Sequence, residues 1–219
     1  METDIRAELQ RLTRLPPWGR VQQDSWDEAS RFIYRIRSLD ELRQEACRVA
    51  MVRGFPLQEF AAYVVRRWYN FHTHQVVLEI FCAHPRVRPE INPRHPSVDF
   101  YLDGVPFDLK LTEFPRAYPR SLDEARSCPQ DLVNWLYREQ SRESRYHAAN
   151  RMFMVFHHAA APERTWEVRR MFDRIESAVA AFLERPVLLR ADVIGLDGTR
   201  HSPQAGLIFC VYEGCSPLP

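Results

Sequence analysis

Asp99, Asp108 and Lys110 are the residues of this chain whose types and spacing could do chemistry. They lie on either side of Asp103-Gly104, a dipeptide that favours a two-residue type I′ turn because both central residues of that turn need positive φ. Apolar residues alternate on both sides of the dipeptide, which predicts a β-hairpin with one apolar face. In that register Asp99 lies opposite Asp108, with the two Cβ atoms about 5 Å apart, and Lys110 follows on the same side.

Two facing carboxylates repel each other unless a cation lies between them. Mg²⁺ binds proteins through one or two carboxylates, and water and substrate phosphate oxygens complete its octahedron. An ammonium beside the metal-bound water helps to orient and deprotonate that water, and it offsets charge that develops on phosphorus. The pattern therefore predicts a Mg²⁺ (or Mn²⁺) site with Asp99 and Asp108 as ligands and Lys110 beside the water.

Lys110 is the single lysine of a chain whose lysines and arginines number 30. Its position inside an Asp-x-Lys pattern indicates that a compact, deprotonatable ammonium is needed there, since a planar guanidinium differs from it in shape, hydration and acidity. The alternative is that the second face of the hairpin is an acidic solvent face, on which the lysine lies by chance.

The order Asp99, eight residues, then Asp108-Leu109-Lys110 resembles the motif of the PD-(D/E)XK nuclease superfamily, whose metal site is built on such a hairpin. The likeness extends over roughly residues 57 to 157 in the order of predicted elements, although the specific motif is three residues. Val98 stands where the family name has proline, which is a departure from the full motif.

This resemblance implies a restriction-endonuclease-like fold and further metal ligands. The backbone carbonyl of Leu109 would be a third ligand. A glutamate from the first core helix often joins the metal site of this family, and Glu79 is the candidate here, with Gln75 as a weaker one. The alternative for Glu79 is an ordinary exposed helix carboxylate.

Hydrophobic periodicity and capping residues predict an α/β fold, a mixed central β-sheet flanked by helices. Ser25, Ser38 and Ser121 each precede a glutamate by three residues, as in a capping box. We expect a helical N-terminal extension over residues 1–56 and a nuclease-like α/β core over residues 57–219. The predicted helices are 3–14, 26–36, 39–52, 57–83, 129–149 and 163–184, and the predicted strands are 86–91, the hairpin, 152–157, 187–194 and 206–212.

A basic stripe is predicted on the helix that follows the hairpin. Arg138, Arg142 and Arg145 are spaced four and three residues apart, so they share one helix face, and Gln140 lies nearby. Guanidinium forks match pairs of phosphate oxygens, which makes this face a candidate nucleic-acid-binding surface. A solvated face without a partner is the alternative.

Net charge, cysteine and histidine spacing, and the lack of long apolar runs limit which kinds of site and location the sequence predicts. The net charge of +1 means that any contact with phosphate must come from a local patch. Five widely spaced cysteines favour neither a disulfide framework nor a zinc site, and the spacing of four histidines (His72, His74, His84 and His95) matches no closed zinc site. The chain shows neither a basic-then-apolar leader nor a long apolar run, so we expect a cytoplasmic protein without a membrane partner.

Together these patterns predict a metal-dependent endonuclease that hydrolyses phosphodiester bonds of nucleic acid, most simply DNA, by attack of a metal-activated water. A catalytically inactive nucleic-acid-binding or protein-interaction module that keeps the nuclease fold is the alternative, and a homodimer is compatible with either. A histidine-based zinc protein is a third hypothesis.

Overall fold

The computed structural model of the chain describes residues 3–17, 24–92, 95–140, 149–194 and 198–214. The chain divides into two compact units, Met1–Val77 and Leu78–Pro219. This division falls inside the longest helix, and the predicted domain start at residue 57 stays a prediction. Among the described residues, no helix combines the length and apolarity needed to cross a membrane.

The first unit is built from helices whose ends the sequence specifies. They are α1 (Ile5–Gln10), α2 (Ser25–Ala29), a 3₁₀ turn (Arg31–Tyr34), α3 (Leu39–Arg53) and most of α4 (Leu57–Cys82). The Ser38 side chain caps α3 by accepting the N–H of Glu41, as predicted, and Gly54 ends α3 in the left-handed conformation, with φ of 68°.

The prediction of one helix over 26–36 is wrong. Asp24 caps α2 in place of Ser25, because its carboxylate accepts the Trp26 N–H at 2.8 Å. The backbone leaves the α-helical region at Ser30 (φ −98°, ψ 16°), and a 3₁₀ turn follows. Ser30 Oγ donates to the carbonyl of Trp26, a local bond by which serine competes with helix propagation.

The second unit contains a mixed six-stranded sheet in the order β1-β2-β3-β4-β8-β5. Its strands are β1 (Val87–Pro89), β2 (Phe100–Leu102), β3 (Val105–Glu113), β4 (Arg151–His158), β5 (Leu188–Arg190) and β8 (Gln204–Tyr212). β1, β2 and β3 are antiparallel neighbours, β3, β4 and β8 are parallel, and β5 is antiparallel to β8. A separate pair, β6 (Val193–Ile194) and β7 (Arg200–His201), follows β5. The chain is thus an α/β protein with a mixed sheet flanked by helices, as predicted.

Helices cover both faces of the sheet. On one face α5 (Leu122–Ser127) and α6 (Pro129–Gln140) bury Leu132, Leu136 and Tyr137 against Phe153 of β4. Ser121 caps α5 with a complete capping box, as predicted. On the other face Phe81, at the end of α4, stacks on Phe100 with 5.1 Å between ring centroids.

The segment predicted as a single helix over 163–184 is divided. A 3₁₀ turn (Pro162–Arg164) precedes α7 (Thr165–Val168), and α8 (Phe172–Glu184) starts after a break at Met171, whose backbone leaves the helical region with ψ of 70°. The hydroxyl of Thr165 accepts the N–H of His158 at 3.1 Å and so ties the first turn of α7 to the end of β4. Amphipathic periodicity continues through this break, so sequence alone does not reveal it.

Candidate functional site

The predicted hairpin is present, and its register is the predicted one over the three pairs from Leu102–Val105 to Phe100–Phe107; the predicted pairing of Asp99 with Asp108 is not among them, since the Asp99 N–H donates to the Phe107 carbonyl instead. Asp103 and Gly104 have φ of 50° and 83°, the two positive values that a type I′ turn requires. Phe100 pairs with Phe107 and Leu102 with Val105 across the turn.

Asp99 lies where β2 and β3 stop pairing through their backbones. Its N–H donates to the carbonyl of Phe107 at 2.8 Å, and its Oδ2 accepts the N–H of Leu109 at 2.7 Å. The Asp99 carboxylate therefore takes the place of a strand partner for β3. Because the N–H and C=O of one strand residue point to the same side, the carbonyl of Leu109 also points towards Asp99.

Asp108 and Lys110 share the opposite side of β3 from the buried Phe107 and Leu109. Lys110 Nζ donates to Asp108 Oδ1 at 2.7 Å, and the Lys110 side chain is 40% exposed. Asp108 itself is only 9% exposed, so the alternative of an acidic solvent face does not describe its surroundings. The Arg151 side chain of β4 lies against Asp108 on this face, and Tyr137 of α6 lies over Arg151.

Arg151 is the site residue that sequence reasoning missed. It pairs in register with Asp108, it is 3% exposed, and its Nε lies 3.8 Å from Asp108 Oδ2. Its guanidinium carbon lies 4.8 Å from the ring centroid of Tyr137 on α6. The local sequence gives no sign of this neighbour, because a parallel register between two distant strands cannot be inferred from either strand alone.

Glu79 lies on the last turns of α4 and its side chain is exposed. Burial first, and then the negative charges of Asp99 and Glu79, raise the pKa of the Cys82 thiol above its ordinary value. Both carboxylates therefore act on the ionisation of the same thiol, and whether Glu79 joins a metal site with Asp99 stays a prediction.

The ligand set fits a hard divalent cation by its chemistry. Asp99, Asp108 and the carbonyl of Leu109 are oxygen donors: Asp108 and Leu109 are consecutive on β3, and Asp99 Oδ2 accepts the Leu109 N–H. Within the described part of the chain, no three His, Cys, Asp or Glu side chains converge as a preformed metal site. Mg²⁺ does not require three, because it is commonly held by one or two carboxylates together with water and phosphate oxygens.

Of the predicted basic stripe, the structure describes only the side chain of Arg138. Arg138 is exposed in the last described turn of α6. Arg142, Arg145 and the side chain of Gln140 lie outside the described residues. The nucleic-acid-binding surface thus stays a prediction.

Several of the histidines have local hydrogen-bonding roles. His72 is buried, and its Nε2 lies 3.1 Å from the carbonyls of both Ile33 and Ile36. Nδ1 of His84 accepts the N–H of Arg86 at 3.3 Å, and Nδ1 of His95 accepts that of Ser97 at 3.3 Å. These contacts account for the three side chains without a metal.

The chain matches no protein-family model, and no curated protein or solved structure is significantly similar to it.

Proposed function

We propose that this protein is a Mg²⁺- or Mn²⁺-dependent nuclease that hydrolyses phosphodiester bonds, with its active site on the β2–β3 hairpin. One observation carries the proposal. Strand β3 carries Asp108, Leu109 and Lys110 in succession, and two contacts of 2.7 Å link Asp99 Oδ2 to the Leu109 N–H and Lys110 Nζ to Asp108 Oδ1. These are the groups that metal-assisted attack of water on phosphorus needs.

Each residue has a role that follows from its position. Asp99 and Asp108 supply anionic oxygens, and the Leu109 carbonyl supplies a neutral one on the Asp99 side of the strand. Lys110 is fixed against Asp108 yet 40% exposed, so its ammonium can reach an incoming phosphate or the attacking water. Glu79 is an exposed carboxylate near the end of α4 and is the proposed additional ligand. A bound divalent cation would polarise the phosphate and lower the pKa of its water.

The order of elements supports a restriction-endonuclease-like fold as the scaffold in this proposal. Helix α4 precedes three antiparallel strands, and α5 and α6 then connect β3 to the parallel strand β4. The hairpin strand β3 thus lies inside the sheet, and rigid neighbours on both sides position its side chains.

A non-catalytic nucleic-acid-binding or protein-interaction module is the second candidate, and one observation favours it. Asp108 is buried, and the cationic side chains of Lys110 and Arg151 already lie beside its two oxygens. A carboxylate balanced in this way serves equally well as a structural ion pair.

The test is cleavage of supercoiled plasmid DNA and of single-stranded RNA by the purified protein with Mg²⁺, Mn²⁺ or EDTA. The proposed function predicts cleavage that requires the metal and disappears in Asp99→Asn. Asp123→Asn, which removes a carboxylate that is 92% exposed on α5, is the matched control and should cleave normally. Absence of cleavage in all conditions, or equal cleavage by Asp99→Asn, would leave the non-catalytic module as the better account.

A further inference from the structure

The buried guanidinium of Arg151 is the charged group that the proposed function leaves unused. Arg151 is 3% exposed, and among the described residues its Nε and Nη1 atoms have no hydrogen-bond partner. A buried guanidinium whose N–H groups make no hydrogen bond is costly, so its presence beside a candidate active site calls for a physical reason.

Its position supplies that reason. Nε lies 3.8 Å from Asp108 Oδ2, while Lys110 holds Oδ1 of the same carboxylate at 2.7 Å. The two cations thus lie at the two oxygens of one buried anion. Tyr137 covers the guanidinium from α6, and its hydroxyl donates to the carbonyl of Ala149 at 2.9 Å, which fixes this cover in place.

We infer that Arg151 is a positioning residue of the proposed site: it holds and neutralises the Asp108 carboxylate opposite Lys110, and thereby limits how tightly the site binds a divalent cation. This inference rests on the proposed function. A dication that shares Asp108 must approach a fixed guanidinium, and repulsion between them lowers the affinity of the metal.

The test is a titration of the whole protein with Mn²⁺ alone. Binding is measured as the loss of the electron paramagnetic resonance signal of free Mn²⁺. Arg151→Met removes the charge and keeps apolar bulk, so Mn²⁺ should bind at least about tenfold more tightly than to the wild type. Arg151→Lys keeps the charge and should restore wild-type affinity, which a purely structural role for the side chain does not predict. Arg116→Met is the matched control, because it makes the same change at an exposed position of the same unit.

A second pair of variants tests whether the effect passes through Asp108. In an Asp108→Asn background, Arg151→Met should change Mn²⁺ affinity by less than about twofold, because a metal that no longer shares the Asp108 carboxylate need not approach the guanidinium. If Arg151→Met does not fold by circular dichroism, Arg151→Gln replaces it, since the glutamine amide is neutral and still donates hydrogen bonds.

Two outcomes would overturn the inference. Equal or weaker Mn²⁺ binding in folded Arg151→Met or Arg151→Gln, alongside measurable binding in the wild type, overturns the inference and leaves the proposed function standing. Absence of Mn²⁺ binding in the wild type and in every Arg151 variant overturns both.

Discussion

Replacement of Asp99 separates its structural role from its proposed chemical role. Its Oδ2 accepts the Leu109 N–H at 2.7 Å in a part-buried position, and no backbone pairing of β2 replaces that bond. A hydrogen bond to a charged group contributes about 1.5–3 kcal/mol, so Asp99→Ala should lower the free energy of unfolding by that amount. Asp99→Asn retains an oxygen acceptor and should lose only about 1 kcal/mol or less.

The two variants should nevertheless lose metal-dependent cleavage alike, because neither keeps the anionic oxygen. The free energy of unfolding is measured by urea titration monitored with circular dichroism, and the activity is measured as plasmid cleavage with Mn²⁺. The control Asp123→Asn should change stability by less than about 0.5 kcal/mol. The reasoning is refuted if Asp99→Ala is as stable as the wild type, or if Asp99→Asn cleaves at the wild-type rate.

Three further perturbations test the hairpin and its surroundings. Phe107→Ala removes a fully buried ring that stacks on Phe100 and should cost about 3–5 kcal/mol in urea unfolding, and a loss below about 1 kcal/mol would contradict the packing. Gly104→Ala places a Cβ in open space at φ of 83°, so backbone strain alone should cost about 1–2 kcal/mol by the same measurement, and an unchanged stability would argue against the type I′ turn. Glu79→Gln removes one of the charges that raise the pKa of the Cys82 thiol, so that pKa should fall and alkylation of Cys82 by iodoacetamide at about pH 8 should become faster; an unchanged rate would show that the Glu79 charge does not act on the thiol.

The hairpin could be predicted from sequence because its determinants are local. Asp103-Gly104 specifies the turn, alternation of apolar residues specifies the faces, and the period of two then fixes which residues lie opposite each other. The local sequence does not predict the contact between Asp99 and the Leu109 N–H, because this contact depends on where backbone pairing between β2 and β3 ends.

The environment of Asp108 could not be predicted for a different reason. Arg151 approaches it across a parallel pairing between strands separated by two helices, and Tyr137 covers both from α6. Asp108→Ala would leave Arg151 as a buried charge beside a cavity. Breaking a buried ion pair in this way lowers the free energy of unfolding by about 3–5 kcal/mol. A loss of activity in that variant would therefore mix unfolding with chemistry.

Lys110→Arg provides the most direct test of the central claim, that the hairpin is the active site of a metal-dependent nuclease. The substitution keeps the charge at a side chain that is 40% exposed, so the fold should survive, while the planar fork replaces a compact ammonium beside the attacking water. In single-turnover cleavage of plasmid DNA with Mn²⁺, we expect the rate of a natively folded Lys110→Arg protein to fall by about a hundredfold or more. A metal-dependent rate equal to that of the wild type would contradict the claim.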